Sequence, residues 1–239
     1  MTHLYLIRHG EADGFKPGQA WYTFPNPGLS RLGIKQAERL RDRLAATGEI
    51  RADALISSTL MRARETAEII APALGLPIIF DDEVQEFNMG EAEGLPIEEI
   101  KERFGLSDLW EEPFRRIAPN GESWAEFVTR ACRGLDRLTR EYADKTVVIV
   151  CHGGVIEASF IAFLGLNMLR QAIFVASQNT SITHWQKGTF EGQEGKWCLR
   201  RVNDHAHLLD LDASQRIPWE ALAVKREQAP VSAPVAPEQ

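Results

Sequence analysis

The feature that most constrains this chain is the six-residue run Thr146-Val-Val-Ile-Val-Cys151, which has no polar side chain after its first position. A strand with one wet face alternates apolar and polar residues, whereas a run that is apolar on both faces belongs to a strand covered on both sides. That is the condition of a central strand in a parallel sheet. Parallel strands are joined by crossover segments, usually helices, so such a sheet carries helices on its faces. The run ends abruptly in His152-Gly153-Gly154, and the N-terminal run Leu4-Tyr-Leu-Ile7 ends in the same way in Arg8-His9-Gly10-Glu11. Ligands of open α/β sheets sit at the carboxyl ends of the strands. If these two strands are parallel neighbours, two imidazoles lie side by side at that edge.

Between the two runs, helical and extended patterns alternate. Ser30 is placed to cap a helix whose inner face is Gly33, Ala37, Leu40 and Leu44, with Thr47 and Gly48 closing it. Residues 53–57 read as a second strand. Ser58 or Thr59 then caps a helix that runs to about Ala73, with Arg62 in its first turn and Gly75 and Pro77 beyond its end. Residues 77–80 give a third strand, and Pro96 opens a short helix that ends near Phe104 and Gly105. Ser123 and Glu126 have capping-box spacing ahead of a helix lined by Phe127, Ala131, Leu135, Leu138 and Tyr142. A helix over 155–164 stops at Gly165. Residues 181–186 and 196–202, separated by the glycine-rich 187–195, read as an antiparallel pair.

This order predicts an α/β fold: a three-layer αβα sandwich with right-handed crossovers, a mostly parallel sheet and an antiparallel edge. The catalytic domain is expected over residues 1–212, with a lid insertion at about 95–123. Residues 213–239, which are rich in Pro and Ala with four prolines after Arg216, form a flexible tail. The aromatics Phe15, Trp21, Tyr22 and Phe24 of the 12–29 loop either wall a substrate pocket or pack as a lid on the core.

At 239 residues, with 44% hydrophobic and 26% charged residues, the chain suits one large domain with a sizeable core. A formal charge of -7 argues against nucleic acid or an anionic membrane as partner, so an anionic ligand must be met by a local cluster of arginines. The N-terminus lacks the pattern of a secretory signal. The longest apolar stretch, 155–166, is too short to span a bilayer and contains Glu157. The expectation is a soluble, cytoplasmic protein with no membrane or nucleic-acid partner, for which a homodimer is one compatible assembly. Cys132, Cys151 and Cys198 are an odd set without metal or disulfide spacing, read as buried free thiols of a reducing compartment.

Five residues or loops point to the expected edge: Arg8, His9, Arg62, His152 and a carboxylate from the 86–93 loop. Guanidinium forks match phosphate oxygens, and a second imidazole adds another donor. A neutral His9 can attack phosphorus through one ring nitrogen while a backbone carbonyl, that of Gly10, holds the other. The reaction then divides into two displacements through phosphohistidine. Arg8, Arg62 and His152 are placed to stabilise charge on the equatorial oxygens. The leaving alkoxide needs a proton, which either Glu86 or Glu93 can give. The scheme requires no metal and no cofactor.

Arg8-His9-Gly10-Glu11, Leu29-Ser30-x-x-Gly33-x-x-Gln36-Ala37, Ser57-Ser58-x-x-x-Arg62-Ala63-x-Glu65-Thr66-Ala67, Glu86-x-x-x-Gly90-x-x-Glu93-Gly94, Gly121-Glu122-Ser123 and His152-Gly153-Gly154 occur in this order. Together they resemble the histidine phosphatase superfamily, in its phosphoglycerate mutase-like branch. The resemblance implies that His9 is the phosphorylated nucleophile and that Arg8, Arg62, His152 and Gly153 bind the phosphate of a small-molecule phosphate ester. It also implies that Glu86 is the proton donor, leaving Glu93 as a structural partner of its loop. Cofactor-dependent mutases of the family carry polar residues where this chain has Phe15, Phe87 and Met89, which favours a phosphatase over a mutase and over a non-catalytic phosphate or phosphopeptide binder. Arg115 and Arg116 are the feature that leans towards a mutase. Glu11 and Glu65 are expected to ion-pair with the arginines, and His205, His207 and Asp210 to form a hydrogen-bonded edge loop rather than a metal site.

Overall fold

In the computed structural model, residues 1–14, 25–105, 111–166, 175–209 and 211 are described. Their strands are β1 (Thr2–Arg8), β2 (Ala54–Ser57), β3 (Ile78–Phe80), β4 (Thr146–Cys151), β5 (Ile182–Phe190) and β6 (Gln193–Asp204). The helices are α1 (Arg31–Thr47), α2 (Met61–Leu74), α3 (Ile97–Phe104), α4 (Trp124–Glu141) and α5 (Gly153–Leu164). The chain divides into a unit over Met1–His207 and a second over Leu208–Gln239.

The sheet order is β3-β2-β4-β1-β5-β6, with β3, β2, β4 and β1 mutually parallel and β5 and β6 added antiparallel. The apolar run becomes β4, the central strand, with Val147 to Cys151 all fully buried. Its residues alternate between two cores. Val147, Ile149 and Cys151 join Leu4, Leu6 and Ile56 against Phe127, Leu135 and Leu138 of α4 and Val155 and Ile156 of α5. Val148 and Val150 join Ile7 and Leu55 against Leu40 and Leu44 of α1 and Ala63, Ala67 and Ile70 of α2. These are the three layers that the unbroken apolar pattern requires.

Caps set several boundaries. Ser30 accepts from the Gly33 N–H, and Gly48 adopts a left-handed conformation to close α1. At α4 both arms of the Ser123/Glu126 capping box are present. Three elements differ from expectation. The cap position of α2 is Leu60, with no side-chain cap bond; Ser58 Oγ accepts the Leu60 N–H at 3.3 Å and also bonds His152, while Thr59 Oγ1 donates to Asp82 Oδ1. Helix α5 begins at Gly153 rather than Val155, since Ile156 N–H already bonds His152 O at 3.0 Å. The glycine-rich 187–195 segment lies mostly within strands, with its turn at Glu191 and Gly192, both at positive φ (50° and 76°) as a tight hairpin turn demands.

Within the 95–123 segment, Ile100 and Ala118 form a small apolar cluster with Met89 and Ala92. The 213–239 tail and the aromatics Phe15, Trp21, Tyr22 and Phe24 lie outside the described residues. Of the thiols, Cys151 is fully buried, whereas Cys132 and Cys198 are only partly so. No helix among the described residues is long and apolar enough to cross a membrane.

Candidate active site

The register of β1 against β4 sets Arg8 beside Cys151, so both strands end at the same level. The position of Gly10, two residues past the end of β1, is fixed from two helices. The Gly10 N–H donates to Thr66 Oγ1 of α2 at 3.0 Å, and the Glu11 N–H donates to Gln36 Oε1 of α1 at 2.8 Å. The approach is too close for side chains. A Cβ on Gly10 would lie 2.6 Å from Gly33 O, and one on Gly33 would lie 2.0 Å from Glu11 O. This explains the place of Gly33, Gln36 and Thr66 in the motifs: they seat the main chain that presents His9.

The His9 and His152 rings lie 5.1 Å apart between centroids, tilted by 56°. His9 is 2% exposed and His152 fully buried. His9 Nδ1 is 2.6 Å from Gly10 O, so it carries the proton, and Arg62 Nε donates to His9 Nε2 at 3.2 Å. Burial, and then the positive charges of Arg62 and Arg8, hold the His9 pKa well below its ordinary value, although the Gly10 carbonyl opposes them. The same holds for His152, through burial, Arg62, His9, Arg8 and Arg130 in turn. Both imidazoles are therefore neutral near pH 7.

His152 Nε2 lies 2.8 Å from Ser58 Oγ, while its Nδ1 is buried with no protein partner. Arg8 donates through one terminal nitrogen to Ser177 O, and its Nε is likewise buried without a partner. Gly153, the first residue of α5, sits between them: a Cβ there would lie 3.7 Å from Ser177 Oγ and 3.8 Å from Arg8 Nε. Buried donors of this kind are normally satisfied, and these converge where β1, β4 and α5 meet.

The two glutamates separate clearly. Glu86 Oε2 accepts the Gly154 N–H at 3.1 Å, one of the first-turn donors that α5 cannot satisfy itself, and Oε1 accepts the Phe87 N–H at 3.0 Å. Gly154 must be small, because a Cβ would lie 2.3 Å from Glu86 Oε1 and 2.8 Å from Phe127 Cζ. Glu93 instead accepts from the Asn26 N–H at 3.3 Å.

Other expectations change. Glu11 accepts from Ser30 Oγ and Glu65 from the Leu29 N–H, so both carboxylates brace the chain that leads into α1. Arg115 and Arg116 pair with Glu112 and Glu126 on an exposed face. His207 Nε2 bonds Thr180 Oγ1 at 2.9 Å, and His205 Nδ1 bonds Asn203 O at 2.7 Å. Asp210 lies outside the described residues. Ser58 and Thr66 fell within recognisable motifs, but their partners could be found only in three dimensions; Ser177 carried no sequence signal.

A three-layer sheet that ends two parallel strands in paired, neutral histidines flanked by arginines defines the class. The chain belongs to the histidine phosphatase superfamily (branch 1), whose family model matches residues 4–205. It is 31% identical over 208 residues to an uncharacterized phosphatase, PhoE, of Bacillus subtilis (strain 168), covering 87% of this chain and 97% of that one. It is 28% identical over 214 residues to a probable phosphoglycerate mutase, GpmB, of Yersinia pestis (strain Pestoides F), covering 87% and 95%. Among solved structures, phosphoserine phosphatase of Entamoeba histolytica (a mutant in complex with phosphoserine) aligns with a TM-score of 0.68 at 26% identity, covering 87% of this chain and all of that one.

Proposed function

We propose that this phosphatase hydrolyses a small organic phosphate monoester through a phosphohistidine at His9, with no step that calls on a metal. The observation that carries the reading is the state of His9: buried, neutral, and fixed by Gly10 O so that the Nε2 lone pair faces the arginine cluster. Arg62 Nε–H occupies that lone pair in the free site. An arriving phosphoryl group offers the guanidinium anionic oxygens instead and frees Nε2 to attack.

In the first step the Nε2–P bond forms as the P–O ester bond breaks, and the Glu86 carboxylic acid protonates the leaving oxygen. Arg8, Arg62, the Gly153 region and His152 neutralise the equatorial oxygens. If Ser58 O–H donates to His152 Nε2, the His152 proton sits on Nδ1 as a free donor. In the second step Glu86 takes a proton from water, the water oxygen bonds phosphorus, the P–N bond breaks, and phosphate departs with Glu86 reprotonated.

The test is turnover of an aryl phosphate in the presence of chelator, with capture of an acid-labile, base-stable phosphoprotein. Both should appear in the wild type and vanish in His9→Ala; retained turnover would overturn the nucleophile assignment. The likeness to GpmB favours a second reading, phosphoglycerate mutase activity. Against it, Phe87 packs edge-on against Phe127 and Met89 is buried, so neither site offers a polar hold for a carboxylate. Robust interconversion of 3-phosphoglycerate with 2,3-bisphosphoglycerate present would favour the mutase.

A further inference from the structure

The segment that carries Glu86 has little regular structure of its own, being a single 3₁₀ turn over Asp82–Val84 followed by extended backbone. It is nonetheless held tightly by one side chain of α4. Arg130 Nε donates to Glu122 Oε1 at 2.7 Å, and one terminal nitrogen donates both to Glu122 Oε2 at 2.8 Å and to Glu86 O at 3.2 Å. The other terminal nitrogen donates to Glu83 O at 3.0 Å and Gln85 O at 3.1 Å. All five guanidinium N–H groups thus have an acceptor.

Glu122 completes the grip from the far side. Its Oε2 accepts the Asn88 N–H at 3.1 Å, and its own N–H donates to Asn88 O at 2.8 Å. The main chain is therefore bound on both sides of residue 86. The guanidinium also lies 5.3 Å from the centre of the Phe127 ring, the ring that abuts the Glu86–Gly154 contact. The pair is mostly buried, with side-chain exposures of 19% and 18%, so its charge-assisted bonds are poorly screened.

We infer that Arg130 and Glu122 are positioning residues for the proton donor: they hold the Glu86 backbone so that its carboxylate stays on the Gly154 N–H, two residues beyond His152. This rests on the reading of Glu86 as the acid. A lysine cannot replace the arginine, because a single ammonium offers three donors from one point, whereas the fork reaches carbonyls spread over four residues and a carboxylate.

The experiment compares hydrolysis of an alkyl phosphate, whose leaving group needs a proton, with that of 4-nitrophenyl phosphate, whose leaving group does not. Arg130→Lys, and separately the milder Glu122→Gln, should lower kcat/KM for the alkyl ester by about ten-fold or more while leaving the aryl ester within about three-fold. In a Glu86→Gln background neither change should matter further for the alkyl ester. Arg137→Lys, which alters contacts with Asp81 and Glu83 but does not reach residue 86, should leave the alkyl-to-aryl ratio unchanged. Equal losses on both esters, or an undiminished effect in the Glu86→Gln background, would overturn the inference and leave the pair a scaffold element. If Glu86→Gln alone lowers both esters equally, the acid assignment itself fails, and the positioning role falls with it.

Discussion

Glu157 predicts a pH dependence of stability that no other residue should mimic. It lies in α5 among apolar neighbours at 7% exposure, and its Oε1 has no hydrogen-bond partner. Burial raises its pKa from 4.5 to about 7; the Glu86 charge adds to the rise, and a hydrogen bond from the Val175 N–H opposes it. The sign follows from proton binding. Between these two values the folded state keeps a proton that the unfolded state has released, so stability falls as pH rises, by roughly 1.4 kcal/mol per pH unit. Above about pH 7 both states are ionised and the loss levels off at roughly 3 kcal/mol, a large share of the stability of an ordinary domain. Glu157→Gln cannot ionise and should lack this loss. Its amide has unmet hydrogen bonds of its own, but these add a constant offset. Urea unfolding of both proteins from about pH 4.5 to 8.5 isolates the effect, because groups that titrate alike in both proteins cancel in the difference. The variant should gain stability relative to wild type by roughly 2–3 kcal/mol between the ends of that range. A difference that stays flat with pH would refute the assignment of a buried, proton-holding carboxyl at this position.

Two substitutions probe the backbone approaches around the site. Gly154→Ala puts a methyl where Glu86 Oε1 and Phe127 Cζ now lie, at 2.3 and 2.8 Å. It should lower kcat/KM for an alkyl phosphate about ten-fold or more and that for 4-nitrophenyl phosphate far less, as expected when a proton donor is displaced; equal effects on the two esters would show that the acid had not moved. Gly10→Ala meets the Gly33 carbonyl at 2.6 Å, where main chain on both sides leaves little room to yield. It should cost about 1–3 kcal/mol and lower Tm by roughly 5 °C in a thermal melt, and a melt indistinguishable from wild type would show that the main chain there can relax.

What the sequence made legible, and what it hid, follows from how local each cause is. The central strand could be read from Thr146–Cys151 because covering both faces leaves an unbroken apolar run, and α1 and α4 could be bounded because Ser30, Gly48 and Ser123 act within one turn. The start of α5 escapes the sequence pattern for the opposite reason. Gly153 and Gly154 look like loop residues by propensity, yet both are helical, and at Gly154 the close approach of Glu86 and Phe127 leaves no room for a side chain. Ser58 bonds the Leu60 N–H just ahead of α2 and His152 as well, a second partner that no local pattern shows.

The choice between Glu86 and Glu93 shows where a motif stops being an argument. Both are acidic, seven residues apart on one loop, and nothing in their spacing says which carboxylate bonds the start of α5. The decision is made from outside the loop. Helix α4 places Arg130 against the carbonyls of residues 83, 85 and 86, while Arg133 and Arg137, one and two turns on, bind Glu83 and Asp81. This row at i, i+3 and i+7 lies along one face of a helix. A row of charges at this spacing by itself reads only as the solvated face of a helix. Only packing of α4 beside the 81–88 segment turns it into a set of donors for a strandless stretch of main chain. The carboxylate proposed to protonate the leaving group therefore owes its place to side chains some forty to fifty residues further along the chain, beyond the reach of any local pattern.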